Sequence, residues 1–180
     1  MKRSIKELKE MKKIIALFTV IVLISGFLKG VSAQSTAPSP NASVTLRTPI
    51  TISNTGNMNF GNITAGSTIG TVVLSTAGTR TRTGGVTLPA IAGTISVASF
   101  LITGDVSSTY SISLPASYTI TNGSYTMTVN TFVSSPSGTG TLSSVGQQTL
   151  NVGATLNIGA KQVGGSYTNA SGFNVTVNYQ

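Results

Sequence analysis

Residues 118–133 read YTITNGSYTMTVNTFV. Tyr118 and Ile120 alternate with Thr119 and Thr121, Asn122-Gly123 interrupts, and Tyr125, Met127 and Val129 alternate with Thr126, Thr128 and Asn130. Successive strand side chains point to opposite faces, so a spacing of two marks strands with one apolar face. Asn-Gly between alternating runs marks a tight hairpin turn, because both residues tolerate positive φ. The stretch is therefore a β-hairpin.

The same spacing recurs outward from it. Towards the N-terminus, STYSISLP (108–115) offers Tyr110, Ile112 and Leu114. TISVASFLITG (94–104) reads as a long strand whose phase slips near Ala98-Ser99, from Ile95/Val97 to Phe100/Ile102, as a bulge would make it. AGTRTRTGGVTLP (77–89) reads as a hairpin turning at Gly84-Gly85, with Val86–Leu88 returning. GTVVLS (70–75) and MNFGNI (58–63) precede it, and VTLRTPITI (44–52) places Val44, Leu46, Ile50 and Ile52 on one phase. Pro49 has no N–H to donate, so this is an edge strand, an interrupted one, or two short ones. Towards the C-terminus, SSPSGTGTLSSVG (134–146) reads as a loop and QTLNVGATLNIGAKQ (148–162) gives Leu150/Val152 and then Leu156, Ile158 and Ala160. The final residues, SGFNVTVNYQ (171–180), alternate strictly: Phe173, Val175, Val177 and Tyr179 against Asn174, Thr176, Asn178 and Gln180. About nine short strands at this spacing indicate an all-β antiparallel sandwich or barrel, with variable turn lengths favouring the sandwich.

Residues 1–33 are of a different kind. They hold seven of the eleven basic residues and both glutamates, then the apolar run Ile14–Leu28, then Val31-Ser32-Ala33. A charged stretch, an apolar run and small residues at the −3 and −1 positions describe a secretory signal peptide. The run of 15 residues is shorter than the roughly 20 a spanning helix needs. Met11 offers a start of more usual signal length. Cleavage after Ala33 leaves 147 residues, beginning with the flexible lead 34–43 ahead of a single domain, 44–180. The expected destination is the cell surface or the medium.

In those 147 residues only Arg47, Arg80, Arg82, Lys161 and Asp105 are charged, a net +3 rather than the +8 of the whole chain. Nucleic-acid binding needs clustered Lys and Arg on the folded domain, and only Arg80 and Arg82 are close, so no nucleic-acid partner is expected. Ser and Thr supply 48 of the 147. Disordered chains with such a content lack the alternating β-branched residues seen here. There is no Cys, so neither a disulfide nor a zinc–thiolate site is available. After residue 33 there is also no His and no Glu, and Asp105 is the single carboxylate side chain. General acid–base chemistry uses such groups in cooperating pairs, and calcium sites gather several carboxylates. No catalytic residue, metal ligand or cofactor is therefore assigned, and the expectation is a structural or binding protein, not an enzyme. Asp105 in TGDVSS reads as a turn residue.

Tyr179 as penultimate aromatic, the alternation Phe173/Val175/Val177 and the glycines Gly164 and Gly165 resemble the C-terminal pattern of chaperone–usher pilins. MNFGNI and GSYTNASGFNVTVNYQ are similar to the spore coat protein U-like and archaic pilin group. GTVVLSTAGTRTRTGGVTL, ASFLITG and TLNVGATLNIGA resemble a related secreted bacterial domain of unknown function. The resemblance implies an immunoglobulin-like sandwich lacking one strand, which a periplasmic chaperone supplies first and a neighbouring identical subunit supplies after delivery to an outer-membrane usher. It implies a fimbrial subunit with a role in adhesion or biofilm. Phe173, Val175, Val177 and Tyr179 would form the strand that pairs with chaperone or subunit, and Val44–Ile52 would be the donor segment. Two alternatives stay open. Val44–Ile52 is equally readable as the domain's own first strand, completing the sandwich, and the whole as a self-sufficient secreted domain that binds a host or matrix glycan or protein.

Overall fold

A computed structural model describes residues 7, 9–16, 35, 37 and 40–180. The expected cleavage site Val31-Ser32-Ala33 and most of the apolar run before it lie outside the described residues. Residues 9–16 are helical, with Lys13 Nζ donating to Glu10 Oε1 at 2.8 Å on the exposed surface. No helix among the described residues is long and apolar enough to cross a membrane.

Thr45–Gln180 form one unit, built from ten strands: β1 (Thr51–Gly56), β2 (Thr64–Leu74), β3 (Arg80–Thr87), β4 (Ala98–Thr103), β5 (Thr109–Ser113), β6 (Ser117–Asn122), β7 (Tyr125–Ser135), β8 (Thr139–Thr141), β9 (Gln147–Ile158) and β10 (Thr176–Tyr179). All pairings are antiparallel. Seven strands form the large sheet, and β10-β5-β8 form a second sheet of three. The fold is an all-β antiparallel sandwich.

β9 organises it. Leu150, Val152, Ala154, Leu156 and Ile158 keep one phase over its whole length, and all five are buried. On one flank β9 pairs first with β4, Ala98 opposite Val152, and then with β2, Val72 opposite Leu156. On the other flank it pairs with β7 at both Asn151 and Asn157. The large sheet is thus long, and its inner face carries two core clusters end to end. Along the first half of β9, Phe100, Ile102, Leu150 and Val152 meet Tyr110, Leu142 and Val177 from the second sheet and the loop beside it. Along the second half, Val72, Leu74, Val86, Val129, Leu156 and Ile158 gather with Phe60. Met58 and Phe132 pack against both clusters. No residue of β5, β8 or β10 belongs to the second-half cluster. What covers it is loop.

The outer face carries the Ser and Thr. One row crosses five strands, Thr83, Thr71, Asn157, Thr128 and Thr119. Within it the Thr71 and Thr83 hydroxyls lie 2.7 Å apart.

Five readings need correction. The stretch 134–146, read as a loop, holds the end of β7 and all of β8, and the long strand read over 94–104 is regular only over Ala98–Thr103. Gly84-Gly85 is not a turn but lies inside β3; the chain turns at 75–79, where Ser75 N–H donates to Thr79 C=O at 2.9 Å and Gly78 has φ +82°. The glycines are there for close approach: a Cβ on Gly84 would sit 2.3 Å from the Ile69 carbonyl oxygen, where β2 bulges between Ala65 and Gly70. The 118–133 hairpin forms, but Asn122 pairs with Tyr125, so its two-residue loop is Gly123-Ser124. Positive φ at Gly123 alone, +56°, fits a type II′ turn with glycine first. The phase slip near Ala98 is not a bulge in β4: Val97 serves one cluster and Ala98 the other, and the bulge is in β1, between Asn54 and Gly56.

Candidate functional site

Over the second-half cluster lies an open cleft of about 1150 Å3. Its floor is apolar: Phe60, Ile120, Met127, Val129, Leu156 and Ile158. None of its lining residues is Asp, Glu, Lys or Arg. Small-molecule sites run from about 300 to 1,000 Å3, so this cleft has room for a length of extended chain.

One wall is the loop from Asn57 to Ile63, with the amide side chains of Asn57, Asn59 and Asn62 at the rim. Arg80 fixes it. Its Nη1 donates to the carbonyls of Phe60 and of Asn62, the latter at 3.0 Å. A few residues on, Arg82 Nη1 donates to Val86 C=O at 2.8 Å. Both neighbouring arginines are thus engaged with the domain's own backbone. Asn62 N–H donates to Ala92 C=O at 2.6 Å, tying the wall to the next loop.

The opposite wall runs from Gln162 to Phe173. Phe173 packs among Phe132, Tyr118 and Phe100 at ring-centroid distances of 4.9, 5.8 and 6.4 Å. Tyr118 Oη donates to Asn169 C=O at 2.9 Å. Burial raises the Tyr118 phenol above its ordinary 10.0, while the backbone at Gly172 pulls the other way. With an apolar floor and no carboxylate or amine side chain in its lining, the cleft is suited to burying apolar side chains and to pairing backbone.

At the other end of β9 the chain is clasped. Thr48 N–H donates to Asp105 Oδ1 at 2.7 Å, Asp105 N–H donates to Tyr179 Oη at 2.6 Å, and Tyr179 Oη donates to Thr48 C=O at 2.9 Å. The ring is closed, and it joins residues 131 positions apart. Gly104 N–H donates to Gly146 C=O at 3.0 Å, which sets the clasp beside the first residue of β9.

The four residues of the proposed pairing strand share the inward face: Phe173, Val175 and Tyr179 are half-buried and Val177 is buried. The strand itself is shorter than the alternation, Thr176–Tyr179, and pairs with β5 alone, Val177 opposite Ile112. The other four part company at the clasp. Val44 and Leu46 have no regular structure and are 84% and 89% exposed. Ile50 packs on the first-half cluster, and Ile52 lies in β1 opposite Ile102 of the same domain. A single phase from Val44 to Ile52 is broken at Thr48-Pro49, where Pro49 cannot continue a ladder.

The clasp had no sequence signal beyond Asp105 being the single carboxylate side chain after residue 33. Its three partners are far apart in the chain. Arg80 was visible as a charge, not as a brace. Asn169 in SYTNAS had the composition of any loop.

Over residues 50–179 the chain matches DUF4402, a domain of unknown function. It belongs to that family. No curated protein and no solved structure matches the chain. The DUF4402 match contains the whole cleft, Asp105 and Tyr179, and begins two residues after Thr48, so Val44 and Leu46 fall outside it.

Proposed function

We propose that this DUF4402 protein is a structural subunit of a bacterial surface fimbria or pilus-like fibre, assembled by strand exchange, with a role in adhesion or biofilm. One observation carries the reading: half of the core is covered by a second sheet and half by loops alone, with a cleft between them. An extended segment with alternating apolar side chains supplies what such a cleft lacks, ladder hydrogen bonds and apolar burial. The chain owns such a segment. Residues 34–47 precede the clasp, and Val44 and Leu46 are exposed in it.

Geometry favours a neighbour as recipient. The twelve residues of β9 span about 36 Å, and the clasp and the cleft floor lie at its opposite ends. The fourteen residues 34–47 reach at most about 50 Å. Most of that length is consumed in returning to the subunit's own cleft, with little left to fill it. Donation to the next copy puts unlike surfaces in contact, and a head-to-tail contact that does not close builds a fibre. The donor is then residues 41–47, ending at the clasp, with Ile50 and Ile52 staying at home. The export, the chaperone and the usher implied by the resemblance belong to this proposal.

The test is deletion of residues 34–47 from the secreted form. The shortened protein is expected to remain folded, to accept a synthetic peptide of residues 41–50, and to form no fibres. Fibre formation by the shortened protein, or a full-length protein that stays monomeric at high concentration, overturns the reading.

A further inference from the structure

The connection from β9 to β10 has no strand of its own, yet it runs along a strand. β6 gives one flank to β7 over all six of its residues. On its other flank Thr121 and Thr168 exchange both backbone hydrogen bonds, each 2.9 Å. Side chains make the remaining contacts. Asn169 Nδ2 donates to Thr119 C=O at 2.8 Å, Tyr118 Oη donates to Asn169 C=O at 2.9 Å, and Asn122 Nδ2 donates to Gly164 C=O at 3.4 Å. The same residues form the cleft wall between Gln162 and Phe173.

The composition of this segment, VGGSYTNASG from Val163 to Gly172, is that of turns. It nonetheless stands where a strand would. It blunts a free edge, which would otherwise invite uncontrolled pairing. It does so with a single two-way bridge, while its ends are secured independently. Phe173 is held in its aromatic cluster, and Lys161 N–H donates to Gly66 C=O at 2.8 Å.

We propose that residues 163–172 are a displaceable strap that caps the outer flank of β6 in the separate subunit, and that residues 41–47 of a second copy replace it during assembly. This rests on the reading of the cleft as an acceptor. The exchange is favourable in kind. An incoming strand pairs along β6 where the strap pairs at one residue, and it buries Val44 and Leu46, whereas the strap leaves its own Val163 42% exposed and ties Tyr167 Oη to the Val163 carbonyl. Both partners are uncharged over the contact, apart from Arg47 at the arm's end, so no ion must be buried. The strap thus regulates assembly: it keeps the edge occupied until a matching segment arrives, and its grip on β6 sets how readily that segment enters.

The chain has no Cys, so a locked strap can be made without interference. Thr121 and Thr168 are a hydrogen-bonded antiparallel pair, whose Cα separation near 5.5 Å suits a disulfide. The experiment compares the secreted full chain, the Thr121→Cys/Thr168→Cys variant oxidised and reduced, and Asn169→Ala, using a fluorescent peptide of residues 41–50 as probe. The oxidised variant is expected to bind at least about tenfold more weakly than the same protein after reduction. Asn169→Ala, lacking the bond to Thr119, is expected to bind about two- to tenfold more tightly than wild type. Equal binding by oxidised and reduced forms overturns the strap and leaves the acceptor reading standing. Failure of every form to bind removes the acceptor reading and the strap with it. If the double variant does not fold, Asn169→Ala decides alone, and unchanged or weaker binding by it overturns the proposal.

Discussion

Tyr179 shows how much one atom can hold. Its hydroxyl accepts from Asp105 N–H and donates to Thr48 C=O, so the last strand, the turn after β4 and the start of the domain close on a single oxygen. Gly104 is glycine because that hydroxyl needs the space; a Cβ there would lie 2.1 Å from it. Gly104→Ala should therefore destabilise the domain by about 1–3 kcal/mol, as inserting a methyl into a packed site does. Tyr179→Phe should cost about 1–2 kcal/mol, since it leaves Thr48 C=O and Asp105 N–H without this partner. Denaturant midpoints with an unchanged slope would measure both. Two other phenols make a pH prediction. Burial raises Tyr110, whose Oη donates to Gln148 Oε1 at 2.6 Å, and Tyr118 above 10.0. A raised folded value stabilises fully below the unfolded one and is lost as the pH climbs through the folded one. Stability should fall steeply above about pH 10, and Tyr118→Phe should make that fall shallower. An identical alkaline slope in the variant would show that Tyr118 does not contribute.

At the scale of elements, the terminal strand tests whether alternation marks a buried face. Val177 is buried opposite Ile112 and Thr176 is exposed, one residue apart on the same strand. Val177→Asp should cost several kcal/mol, on the order of 3 or more, because an unpaired carboxylate there must be desolvated or protonated. Thr176→Asp should cost less than about 0.5 kcal/mol, as surface changes do. Thermal unfolding of the two variants side by side is the measurement, and equal losses would refute the assignment. The Asn57–Ile63 loop has its own test. It is not a strand, and Arg80 braces its carbonyls. Arg80→Ala should leave the β-sheet spectrum intact while increasing hydrogen exchange at Asn59–Asn62, since a locally unbraced segment opens locally.

For the molecule as a whole, the two ends of β9 behave differently. One end is a finished sandwich; at the other the core is covered by loops alone, with a cleft between them. Truncation should separate them. Removal of residues 34–47 leaves β1 and both clusters untouched, whereas removal of 34–53 takes Ile50, Ile52 and half of β1 from the first cluster. The first product should melt within a few degrees of the parent, and the second should unfold or aggregate. Similar melting for both would mean that β1 contributes nothing to the fold.

The all-β class, the 118–133 hairpin and the inward phase of Phe173, Val175, Val177 and Tyr179 were legible in the chain itself. Each rests on a spacing of two between near neighbours, which backbone geometry imposes locally. What was not legible depends on segments distant in sequence. Gly84-Gly85 has the composition of a turn and became a point of close approach, because Ile69 of another strand lies against it. Val44–Ile52 has one phase and two fates, because Asp105 and Tyr179 seize Thr48 in its middle. The cleft could not be read at all: it exists because the second sheet stops halfway along β9. Local spacing decides which residues prefer a buried face; only the tertiary structure decides which of those faces finds a cover.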